Sequence, residues 1–317
     1  MHPTPDRSAR TASAILVILF GLDLTGCASL LDPFGPESAI EEQRQYMAER
    51  AAAEAAEDTD REKPTFEEKL AAAQRFHRSG ETDRAMRLYF DAFRLDPEDT
   101  RTHEGVAYLQ LGRQTEGAET VFLEVIETDP DSTMAHIGVG LAKLAQDDPA
   151  GAIPYLERAI ELSPDSAEAH DSLAVALQQL ERFNEAQVHA QRARELAPDD
   201  ADIANNLGIS NLLLSDPVPA EVAFREAIAL NPHDPAYRNN LGIALGRQAR
   251  YGEALKAFRS AGSEQAAENN IAYIYFLNGR LDDAIAHYEL ALQAEGDDEL
   301  MVLRNLNAAL DARDAQE

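Results

Sequence analysis

Tryptophan is absent from this chain, cysteine occurs once, at Cys27, and lysine occurs four times against 24 arginines. One cysteine cannot close an internal disulfide, so the fold does not rest on disulfide staples. Motifs that carry chemistry are missing as well. There is no glycine-rich phosphate loop, paired-histidine helix motif, cysteine pair or nucleophile elbow. The eight histidines do not cluster at ligand spacing, so the sequence offers no catalytic residue, no metal site and no cofactor site. Basic surface is scarce too. A formal net charge of −29 repels nucleic acid and anionic membrane surfaces, which argues against a nucleic-acid role. Two readings of the acidity stand side by side: a solvated surface that keeps a long chain soluble, and a surface matched to a basic partner.

What the chain does have is a period. Pro97, Pro130, Pro164, Pro198 and Pro232 are spaced 33, 34, 34 and 34 residues apart, each after an alanine- and leucine-rich run. In the clearest unit, 167–200, His170, Leu173, Ala174 and Leu177 share one face of a first helix, A. After a polar turn around Glu181, Phe183, Ala186, Ala190, Ala193 and Leu196 share one face of a second helix, B. Pro198 stops that helix, and Asp199 and Asp200 offer a cap to the next. Counting Ala167 as position 1, position 8 is small (Gly140, Ala174, Gly208, Gly242, Ala272) and position 20 is alanine in every unit. Position 24 is usually bulky, as at Phe224 and Phe258, with Ala190 the departure. Small residues belong where paired helices approach closely.

This pattern resembles the tetratricopeptide repeat (TPR) family over about three quarters of the chain. The resemblance implies an all-α, right-handed superhelical solenoid of about seven helix pairs with a C-terminal capping helix. The units fall at 66–99, 100–132, 133–166, 167–200, 201–234, 235–264 and 265–298, so the repeat domain spans 66–298 and the cap and polar tail 299–317. The second unit fits only with one extra residue in its turn and a shorter loop before it. The sixth lacks its closing proline and ends helix B near Ala261-Gly262.

Arg7 and Arg10, the apolar run Ala12 to Phe20 and then Leu24-Thr25-Gly26-Cys27 have the order of a secretory signal. At roughly ten apolar residues the run is short for a membrane span. Residues 1–26 therefore read as a signal peptide. LTGC is similar to the lipobox of bacterial lipoproteins, which implies lipid attachment at Cys27 and stable anchoring of the N-terminus. Ala28 stands where aspartate would direct retention in the inner membrane of enterobacterial lipoproteins, so the resemblance implies the periplasmic face of the outer membrane. Residues 27–65 are then the lipidated cysteine and a flexible or helical tether.

Two features of the A helices point to binding. Position 9 is apolar throughout (Val106, Leu141, Val175, Ile209, Ile243, Tyr273), with Phe276 extending the stripe. It either floors a concave groove or packs on the neighbouring unit. Asparagine recurs at positions 5 and 6 as Asn205-Asn206, Asn239-Asn240 and Asn269-Asn270, and Asn305 continues the series. An amide both donates and accepts, so it can pair with a partner's backbone whatever that partner's side chains. The expected partner is a protein or peptide. The layout resembles lipoproteins that assist assembly of type IV or tight-adherence pili, or of secretins. The alternative is an adaptor that docks peptidoglycan hydrolases or proteases.

Overall fold

The computed structural model describes residues 64–315. They fall into two compact units, 64–181 and 182–315, and no β-strand occurs among the described residues. The first unit holds α1 (Phe66–Arg78), α2 (Thr82–Phe93), α3 (Thr100–Gln110), α4 (Thr115–Thr128), α5 (Thr133–Ala145), α6 (Pro149–Leu162) and α7 (Ala167–Gln179). The second holds α8 (Phe183–Leu196), α9 (Ala201–Leu213), α10 (Pro217–Leu230), α11 (Pro235–Arg247), α12 (Tyr251–Ala261), α13 (Glu264–Leu277), α14 (Leu281–Gln293) and α15 (Glu299–Asp314). Odd-numbered helices are the A helices. Within each unit a helix packs on its chain neighbour, and each A helix also touches the next A helix.

Each A helix from α1 to α13 starts at a side chain that accepts from its own first turn: Thr65, Asp99, Ser132, Ser166, Asp200, Asp234 and Ser263. Such caps satisfy amide N–H groups that the helix leaves unpaired. Of the two aspartates before α9, Asp200 does this work, receiving the amides of Asp202 at 2.9 Å and Ile203 at 3.1 Å. After the A helix of every repeat but the second, the residue at position 15 is left-handed. Gly80 and Gly279 occupy it at φ near 72°, but Asp147, Glu181, Ser215 and Ala249 adopt φ near 60° without being glycine.

The core repeats with the units. A side chain added at Gly208 would sit 2.5 Å from Phe224, and one at Gly242 would sit 2.5 Å from Phe258, so the small position 8 makes room for the bulky position 24. Each of these rings is almost fully buried, a burial that contributes about 2–3 kcal/mol. The other face of position 24 meets the sixth position of the next A helix: Gly138 abuts Phe122, and Gly105 abuts Tyr89. His103, His136 and His170 stand at position 4 and place Nε2 3.0, 3.0 and 3.1 Å from the carbonyl oxygens of Pro97, Pro130 and Pro164. These are buried structural histidines that tie each A helix to the proline closing the unit before it.

The second repeat differs from its expected register in one respect. Its turn, 111–114, does carry the extra residue, but the loop before it is not shortened. It runs over 94–99, because α2 stops at Phe93 and α3 starts at Thr100. The Phe93 ring packs edge-on against the buried His103, 5.6 Å away, which holds the loop in place. At the sixth repeat α12 ends at Ala261 and only Gly262 and Ser263 separate it from α13. The buried Glu268 clamps this junction, with Arg259 Nη2 at 2.8 Å and His287 Nδ1 at 2.6 Å.

Candidate binding surface

The asparagines lie on α9, α11, α13 and α15, and they bond to one another. Asn240 Nδ2 donates to Asn205 Oδ1 at 2.8 Å, Asn270 Nδ2 to Asn239 Oδ1 at 2.9 Å, and Asn305 Nδ2 to Asn269 Oδ1 at 3.0 Å. In the first two bonds position 6 of one A helix donates to position 5 of the A helix before it, and in the third Asn305, one place further along α15, takes the donor's part. Tyr237 adds a hydroxyl bond to Asp202 at 2.5 Å between the same two helices, α11 and α9. The pairing also crosses the shortened junction at Gly262-Ser263 unchanged.

Exposure divides the sequence candidates. Asn205, Asn240, Asn269 and Ile243 are buried, which corrects the expectation that they lie open to a partner. The reason is physical: neighbouring A helices approach closely enough for the amides to satisfy each other, and Ile243 joins the apolar cluster around Phe224, Phe258 and Ile274. Asn206, Asn239, Asn270, Ile209, Tyr273 and Phe276 keep partial exposure. Tyr273 and Phe276 stack with ring centroids 6.3 Å apart at 26°, backed by Ala272, Tyr288 and Val302. Burial raises the Tyr273 hydroxyl's pKa, and the neighbouring Arg247 opposes that rise.

Arg247 has no distinguishing signal in the sequence. It closes α11 on the row Asn239, Ile243, Arg247, four residues apart and so on one helix face. Its Nη2 atom is buried without a hydrogen-bond partner, and burial lowers its pKa. A second surface that the sequence reading missed is the groove where Val218 and Val222 of α10 stand exposed beside Leu207 and Ala223. Gln187 Nε2 donates to Asn211 Oδ1 there at 3.0 Å. In the first unit Val106 is fully buried, while Leu141 and Val175 remain partly open.

Comparison with known families decides what this architecture is. Models described as tetratricopeptide repeat match residues 143–207 in one case and 102–167, 219–267 and 239–299 in another, more than half of the chain together. The chain belongs to the tetratricopeptide repeat family. Proteins of this family and fold typically act as non-enzymatic protein-interaction scaffolds. Among solved structures, the Cut9–Hcn1 hetero-tetramer of the APC/C is similar at TM-score 0.61 and 21 % identity, covering 86 % of this chain and 53 % of that one. This TPR chain thus spans about half the length of that relative. Pseudomonas aeruginosa pilF is similar at TM-score 0.51 and 19 % identity, covering 61 % and 90 %. These likenesses establish the all-α TPR solenoid fold. No curated protein matches.

Cys27, the signal segment and the tether up to residue 63 lie outside the described residues. Among those described, no helix is long and apolar enough to cross a membrane.

Proposed function

We propose that this TPR protein is a scaffold tethered by lipid at Cys27 to the bacterial envelope, on the periplasmic face of the outer membrane, where it holds components of a pilus or secretion machine during assembly. The observation that carries the binding part is the partly open row Ile209, Tyr273 and Phe276 on A helices whose remaining faces are used in packing. Apolar side chains at such places favour a partner that covers them. The envelope part rests on the order of basic, apolar and LTGC segments at the N-terminus. The likeness to pilF supports the fold and leaves the machine to experiment.

Crosslinking in intact cells with identification of the captured proteins tests the reading. Pilus or secretin components are the expected catch, and recovery of peptidoglycan hydrolases alone would replace it with the adaptor alternative. The anchor is tested separately: Cys27→Ala is expected to abolish fatty-acid labelling and membrane fractionation. A labelled variant would remove the lipoprotein part.

A further inference from the structure

Arg247 is an exception among the charged groups of its unit. Every arginine of residues 182–315 other than Arg238, Arg247 and Arg304 meets a carboxylate. Arg238 donates to the Pro232 carbonyl, and Arg304 is exposed to water. Of these three only Arg247 is drawn partly out of water with a buried, unbonded Nη2; Arg313 also buries an unbonded Nε, but Asp282 stands 3.8 Å from its Nη1. A desolvated guanidinium without an acceptor is costly, and the usual remedy is a carboxylate. Among the described residues no carboxylate pairs with Arg247.

What surrounds the guanidinium has the makings of a site. Tyr273 stands next to it and stacks on Phe276, giving an apolar wall. Two turns back on the same face, Asn239 accepts from Asn270 through Oδ1, which leaves its two amide N–H groups for an acceptor. From position 239 to 247 the helix rises about 12 Å, the reach of roughly four extended residues. The geometry points to Arg247 as the receptor for a carboxylate of the bound partner, seated against Tyr273, with the adjoining backbone running toward Asn239. A guanidinium edge matches a carboxylate bidentately, which a lysine could not reproduce. This inference deepens the scaffold reading and rests on it. The carboxylate is either a side chain or a chain terminus.

Three small probes test it on the full chain, followed through the arginine Nε–H signals in NMR: N-acetylphenylalanine, its neutral amide, and N-acetylaspartate N-methylamide. The acids are expected to move the Arg247 signal saturably, and the amide to bind at least tenfold more weakly. The tighter of the two acids identifies a terminal or a side-chain source. Arg247→Lys should weaken acid binding at least fivefold, and Arg247→Met should abolish it while raising the thermal midpoint of the free protein. A purely structural arginine would lower that midpoint on removal. Equal binding of acid and amide, no saturable shift, or acid binding unchanged in Arg247→Met would each overturn the inference. Crosslinked partners that persist when acid binding fails would leave the scaffold reading standing.

Discussion

Asn240 and Asn205 share a buried hydrogen bond between α11 and α9, 2.8 Å from Nδ2 to Oδ1. Removing one amide strands the other in a place water does not reach, which costs about 1–3 kcal/mol. Asn240→Ala and Asn205→Ala are each expected to destabilise the 182–315 unit by about that amount, with the double variant falling short of additivity by roughly 0.5–1.5 kcal/mol. Urea unfolding followed by circular dichroism measures the cycle. Strict additivity would show that the pair contributes no coupling.

Gly242→Ala places a methyl 2.5 Å from the Phe258 ring. Overpacking of this kind costs about 1–3 kcal/mol, and trimming the ring in Gly242→Ala/Phe258→Leu should recover part of it. Gly252, which has nothing near its missing side chain, is the control: Gly252→Ala is expected to be neutral or stabilising. Comparable loss at both glycines would place the effect in the backbone.

Ala249 holds φ at 59° in the turn between α11 and α12. A left-handed residue with a side chain costs about 1 kcal/mol, so Ala249→Gly should raise stability by about 0.5–1 kcal/mol after the entropic loss. Gly279→Ala, at the matching turn, should lower it. Thermal melts of both variants show whether the signs are opposite.

Glu104 lies buried in α3 and accepts from the Ser132 hydroxyl. Burial pushes its pKa up to about 7, the Ser132 bond opposes, and the nearby Asp129 and Asp99 add to the rise while Arg101 pulls it down. The folded unit therefore holds the Glu104 proton more tightly than the unfolded chain does. The stabilisation is complete below the ordinary carboxyl range and is lost as pH rises toward and through about 7. Glu104→Gln should flatten this dependence and make the variant more stable than the parent at pH 8 by about 2 kcal/mol. Hydrogen exchange over α3 at pH 5 and pH 8 reads it locally, and identical profiles for parent and variant would refute it.

The period was legible because its markers are local. Proline ends helix B, serine or aspartate starts helix A, and glycine or alanine sits where Phe224 and Phe258 need space. The asparagine doublet was visible as a recurrence, but its partner was not. Which amide meets which depends on how successive A helices lie against one another, a relation that no single unit contains. Arg247 lay beyond reach for a related reason: one arginine among 24 looks like the rest until its surroundings show a buried Nη2 with no hydrogen-bond partner among the described residues. Ile243 and Ile209 occupy the same position in consecutive units, yet only Ile243 is buried, a difference set by neighbours rather than by period.

The amide row has a consequence for how the chain can vary. Its paired asparagines are 35, 31 and 36 residues apart in sequence, yet the bond lengths stay at 2.8, 2.9 and 3.0 Å. At the short junction the two-residue loop takes up the slack, and at Asn305 a shift of one place along α15 does. Residues can be lost in a connection such as Gly262-Ser263 with the amide pair across it kept. Length polymorphism is absorbed where it costs least, and the paired amides still meet.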